Sequence, residues 1–160
     1  MLSDVGGTLP RMATWREFER EAPELASRVR EAFGRGKHAT MATLRADGSP
    51  RISGTEVEFS DDGTLRLGSM PGAVKARDLL RDPRLAVHSP TAEPGEGGAD
   101  WPGEAKVAGR ALARPQGEDG AHSFDVDLHE VVWTGLDDTR SLLVIQSWHP
   151  DRGFEERRRA

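Results

Sequence analysis

The sequence predicts an α+β domain, mainly β: an antiparallel barrel or sandwich preceded by helices and interrupted by one more. Apolar residues recur at helical spacing over residues 15–33, and the period shortens to two from His38 onward. Turn signals such as Asp47-Gly48 and Asp61-Asp62-Gly63 then separate short apolar runs, as in antiparallel sheets. The 160 residues suit one domain. A domain of this size buries roughly 68–70% of the surface its unfolded chain exposes. An apolar content of 36% is lean for such a core, so a second copy is expected to share the burial as a homodimer.

Taken in order, residues 1–13 read as a flexible leader. Thr14-Trp15-Arg16-Glu17 has the form of a capping box. Trp15, Phe18, Ala22, Leu25, Val29 and Phe33 form the helical stripe, and Pro23 divides it. Proline fits a first turn, so two short helices are expected, the second ending at Gly34 or Gly36. Strands follow around residues 40–45, 52–59 and 65–67. A helix carrying Ala73, Ala76, Leu79 and Leu80 on one side ends near Asp82-Pro83. Further strands are expected at 85–88, 106–112, 124–133 and 141–148, making about seven. Residues 90–103 hold three prolines and four glycines and read as a loop; Pro115 to Gly120 reads as a polar turn. The domain then spans 14–153, and 154–160, with Arg157, Arg158 and Arg159, is a solvated basic tail.

Composition removes several function classes. Without cysteine there is no disulfide, thiolate-bound metal, iron–sulfur cluster or thiol nucleophile. The net charge of −5 speaks against nucleic-acid binding. No apolar stretch suits a signal peptide or a bilayer span, so a cytoplasmic protein without membrane contact is expected. The histidines at 38, 88, 122, 129 and 149 have no metal-site spacing, so no metal ligand is assigned; His88 reads as a barrel histidine. Neither G-x-G-x-x-G, G-x-x-x-x-G-K-[ST] nor G-x-S-x-G occurs. Trp133 and Trp148 close the last two strands; both suit an interface between copies, and Trp148 also suits a reach toward a partner's cofactor.

An ordered set of motifs adds a family. Asp47-Gly48-Ser49-Pro50 turns between two strands, and Asp62-Gly63-Thr64-Leu65-Arg66-Leu67-Gly68-Ser69 forms the next. The helix reads KARDLLRDPR over 75–84, and AKVAGRAL and LLVIQSWHP close the chain at 105–112 and 142–150. Over residues 13–153 the chain resembles the pyridoxamine 5′-phosphate oxidase-like flavoproteins of actinobacterial type. The resemblance implies a split β-barrel that pairs as a homodimer, with FMN or the deazaflavin coenzyme F420 between subunits. Some relatives bind haem. It places Arg51, Ile52, Ser53 and Gly54 beside the flavin ring, and Gly68, Ser69, Met70, Lys75 and Arg77 at its phosphate.

The phosphate assignment also has a physical basis. Gly68-Ser69-Met70-Pro71-Gly72 leads from a strand into a helix start, where unpaired N–H groups and the helix dipole attract anions. Ser69 offers a hydroxyl and Lys75 a point charge. Relatives often have a basic or hydroxyl residue where Ala73 and Val74 stand, and many have Asn where Asp78 stands. The connection at Pro115–Gly120 is short for the family. Two function classes follow: a flavin-dependent oxidoreductase acting on an unknown small molecule, in which the cofactor carries the hydride, or a non-catalytic flavin or haem binding module.

Overall fold

The computed structural model describes residues 9–160 and, among them, three helices and nine strands. In chain order these are α1 (Trp15–Glu21), α2 (Pro23–Gly34), β1 (Ala39–Leu44), β2 (Pro50–Thr55), β3 (Val57–Phe59) and β4 (Leu65–Ser69). Then come α3 (Val74–Arg81), β5 (Arg84–His88), β6 (Glu104–Ala113), β7 (His122–Leu136), β8 (Leu143–His149) and β9 (Gly153–Arg159). All strand pairs are antiparallel, and the fold is mainly β, as expected. No described helix is long and apolar enough to cross a membrane.

The seven expected strands become nine for two reasons. The second breaks at Glu56, so that β2 pairs with β1 while β3 pairs with β4. The basic tail is a strand as well: β9 pairs with β8 from Gly153 to Arg159. Backbone pairing does not depend on side-chain polarity, so the arginines stay solvated while their peptide groups complete a ladder. The leader expectation is also corrected at its end. Ala13 is buried and exchanges backbone hydrogen bonds with Leu128 at 2.9 and 2.7 Å. Residues 1–8 lie outside the described residues.

The sheet runs β2-β1-β5-β6-β7-β4-β3, with β8 and β9 added beside β7. Its two ends, β2 and β3, are consecutive in the chain, so the sheet curls into a barrel-like wall joined at Glu56 by covalent bonds and not closed by a ladder. The long β7 faces β6 on one side. On its other side it pairs with β4 through residues 122–126, with Ala13 at Leu128 and with β8 through residues 131–136. A register shift opposite Ala108/Gly109 leaves His129 as an extra residue. The buried positions of β7 accordingly change parity, from Phe124, Val126 and Leu128 to Val131 and Trp133.

The helical stripe fills the mouth of this wall. Thr14 and Glu17 form the capping box, with bonds of 3.2 and 2.7 Å between each side chain and the other's amide. Pro23 begins α2. The Trp15 ring lies 4.6 Å from that of Phe59, and Phe18 lies 5.1 Å from Trp148, so the helices bind β3 to β8. Trp133 and Trp148 are both buried within the single chain, Trp148 at 1% exposure with its indole N–H donating to Glu21 at 3.0 Å. Neither is a free interface residue. On α3, Leu80 is exposed and Asp78 is buried instead, a reversal that follows from the polar partners Asp78 finds inside.

Candidate functional site

Where β4 runs into α3, the chain turns through Met70-Pro71-Gly72. Gly72 has φ of +72°, a conformation that favours glycine, and the Ala73 amide donates to the Met70 carbonyl at 3.2 Å. The turn delivers the chain to α3 with Ala73 at the N-cap, which supplies no side-chain hydrogen bond. The first amides of α3 therefore lack the capping acceptor that a Ser or Asp would provide. Lys75, the second residue of α3, reaches back to β2, where its ammonium donates to the Gly54 carbonyl at 2.6 Å.

These groups surround an open cavity of about 510 Å³. Gly68, Ser69, Met70 and Lys75, expected at a phosphate, line it together with Gly54, expected beside the ring. A Cβ on Gly54 or Gly68 would meet nothing within 4 Å, so both glycines leave space. Ser69 only weakly engages the His122 carbonyl, at 3.5 Å, which leaves its hydroxyl available. Burial lowers the Lys75 pKa, an effect that nearby Glu56 opposes. The cavity also holds residues that sequence reasoning missed: His38 and Thr55 on the sheet side, Glu56 at the barrel seam, and Asp119 and Ala121 from the loop before β7. Glu56 is paired with Lys37 at 3.3 Å. The polar turn at 115–120 carried no signal of its role, because its approach to α3 arises from β7 pairing with β4.

Arg51 and Arg77 are placed elsewhere. They line a second cleft, of about 430 Å³, with Arg45, Asp47, Val74 and Arg81. Asp78 sits at its base, 2% exposed. Its carboxylate accepts from Thr43 at 2.8 Å, Arg51 at 2.6 Å and Arg81 at 2.9 Å. Burial would raise the Asp78 pKa, but the hydrogen bonds from Arg51, Thr43 and Arg81 outweigh it and hold it down at about 2. The aspartate where many relatives carry Asn thus points into the protein, away from the Lys75 cavity.

Ile52 is 75% exposed on β2, and neither it nor Ser53 lines either cleft. Trp148, buried against Phe18 and Glu21, is corrected from the cofactor set: a side chain enclosed in the core of its own chain has no surface to offer a ligand. His88 faces Glu104 at 3.2 Å and His149 faces Glu130 at 2.9 Å. Among the described residues, no three His, Asp or Glu side chains gather as a metal-ligating group.

Residues 25–127 match the family model of pyridoxamine 5′-phosphate oxidase. No curated protein matches the chain. Among solved structures, a pyridoxamine 5′-phosphate oxidase-related, FMN binding protein from Nostoc punctiforme is 9% identical with a TM-score of 0.60, covering 87% of this chain and 96% of that one. PhzG from Burkholderia lata, in complex with tetrahydrophenazine-1-carboxylic acid, is 12% identical with a TM-score of 0.58, covering 86% and 87%. HutZ, the haem storage protein of Vibrio cholerae, is 15% identical with a TM-score of 0.52, covering 68% and 90%. At these identities the likeness is one of fold.

Proposed function

Because this chain belongs to the pyridoxamine 5′-phosphate oxidase family, we propose that it holds FMN by its phosphate in the Lys75 cavity and acts as a flavin-dependent oxidoreductase on a small molecule. The observation that carries this reading is the pairing of the Lys75 ammonium with the uncapped start of α3. The ammonium's one protein hydrogen bond goes to a neutral carbonyl, and among the described residues it has no carboxylate within ion-pair distance.

The donor set fits a phosphate: the Lys75 ammonium and the Ser69 hydroxyl line the cavity beside the uncapped start of α3, where Gly54 and Gly68 leave room. The volume falls within the range of cofactor pockets. Glu56 and Asp119 oppose a dianion, and the Lys37 contact offsets Glu56. When bound, the flavin would supply the two-electron chemistry. The chain's own part is to anchor and orient: Lys75 and the α3 amides fix the phosphate, and the exposed Gly54 edge of β2 leaves a surface for the ring. No side chain at the cavity is required as a general base. Coenzyme F420, which also carries a phosphate, is the alternative occupant of the same donor set.

A second reading, a haem or flavin binding module without catalysis, is favoured by His38, an exposed imidazole at the same cavity. Absorbance titrations of the purified protein with FMN, F420 and haemin separate these readings. Saturable FMN or F420 binding supports the oxidoreductase. A haem Soret shift lost on His38→Ala, without flavin binding, supports the module.

A further inference from the structure

The arginine cleft is set apart from the Lys75 cavity by the geometry of α3. Val74, Arg77, Asp78 and Arg81 recur at helical spacing and line one flank, whereas Lys75 serves the other. Four guanidiniums, Arg45, Arg51, Arg77 and Arg81, surround the cleft with two carboxylates, Asp47 and Asp78. Four cations against two anions leave a net charge of +2.

The carboxylates are already engaged. Asp47 accepts from the Ser49 amide and hydroxyl at 2.9 and 2.6 Å, closing the β1–β2 turn. Asp78, buried beneath the cleft, holds Arg51 through Nε and Arg81 through one Nη, and Thr43 fixes the carboxylate from below. A guanidinium oriented from behind by a buried carboxylate keeps its remaining N–H groups in a fixed fork, suited to a planar or tetrahedral oxyanion. Arg45 spends a donor on the Pro50 carbonyl. Arg77 is exposed and has no ion-pair partner among the described residues. Val74, 43% exposed, gives the same cleft an apolar wall.

We propose that this cleft is a second binding site, for the phosphate or carboxylate group of a small organic molecule whose apolar part lies against Val74. Asp78 is its positioning residue, Arg45 and Arg77 supply the uncompensated charge, and the site works independently of the Lys75 cavity.

The test is an NMR titration of the full chain at constant ionic strength, with inorganic phosphate in one arm and acetate in the other. The readouts are the Arg45 and Arg77 Nε–H signals and the Val74 amide. Lys75→Ala is the background, so that phosphate in the first cavity does not contribute. Saturable shifts that survive Lys75→Ala are expected, with affinity falling about tenfold or more when Arg45→Ala and Arg77→Ala are added. Both variants remove exposed side chains, and the backbone spectrum reports that the fold persists. The two arms show whether phosphate or carboxylate is the better ligand. Absence of saturable shifts in both arms, or shifts unchanged by the arginine substitutions, would overturn the proposal. FMN affinity is measured in parallel on Arg45→Ala/Arg77→Ala with Lys75 intact. Unchanged affinity supports two separate sites, and a loss comparable to that of Lys75→Ala overturns their separation. Failure of the wild type to bind any flavin counts against the flavin reading alone and leaves the arginine result standing.

Discussion

Two side chains three residues apart on α3, Lys75 and Asp78, have different work. Lys75 meets one neutral carbonyl and an open cavity. Replacing it with Ala removes a charge-assisted contact worth about 1.5–3 kcal/mol, so FMN affinity is expected to fall roughly 10- to 150-fold in an absorbance titration. Unchanged affinity would take Lys75 out of the phosphate site. Asp78 is a structural anion. Asp78→Ala leaves Arg51 and Arg81 without their shared carboxylate, and a loss of about 3 kcal/mol in denaturant unfolding is expected. The pH dependence has a definite sign. With its carboxyl held at about 2 in the fold against an ordinary value of 3.8, Asp78 stabilises the protein fully above about pH 4. That contribution is lost as pH falls toward 2, so unfolding of Asp78→Ala should depend less on pH across this window. Asp62, Asp82 and Asp137 are also held near 2, by hydrogen bonds from Thr64, Arg84 and Thr139, but they sit at exposed turns where water screens them.

Among the elements, β7 organises the molecule, since it pairs with three strands and with Ala13. Its bulge at His129 lets one strand present inward residues to two parts of the wall, and the bulge needs a glycine opposite. A Cβ on Gly109 would run into the Asp127 carbonyl oxygen. Gly109→Ala is therefore expected to destabilise the fold by about 1–3 kcal/mol, roughly 3–10 °C in Tm, measured by circular dichroism. An unchanged Tm would mean that the ladder shifts there without strain. The elements also show why some of the fold was legible in advance. Thr14, Glu17 and Pro23 act within one or two turns of their own helix, so the bounds of α1 and α2 follow from local chemistry. The break at Glu56, the strand β9 and the parity change in β7 each depend on which strand lies alongside, and adjacency is not written in a single stretch of residues.

At the scale of the whole molecule, three of the exposed apolar residues lie on the elements that build the two clefts. Met70, 79% exposed, lines the Lys75 cavity; Val74 lines the arginine cleft; Ile52, 75% exposed, lies in β2 between Arg51 and Gly54. An open cavity bordered by such side chains suits a flavin covered by a second copy of the chain. Sedimentation equilibrium is expected to give twice the chain mass, with Ile52→Glu shifting the equilibrium toward monomer. A wild-type monomer at micromolar concentration would overturn the expected homodimer.

The sequence by itself determined the fold class and the paired helices with their cap and proline, because these are set by periodicity or by neighbours within one turn; it also placed Gly68, Ser69, Met70 and Lys75 along one strand–turn–helix connection. Tertiary structure alone decided three further points. Arg51 and Arg77 belong to a separate cleft, since strand and helix faces become specific only once β2 and α3 are docked. Asp78 points inward, because Thr43 and Arg51 come from other strands to meet it. Trp148 fills the core and not a cofactor site, because α1, more than a hundred residues earlier in the chain, folds over it. Local chemistry specifies the elements; burial and ion pairing between distant segments specify which faces they turn to one another.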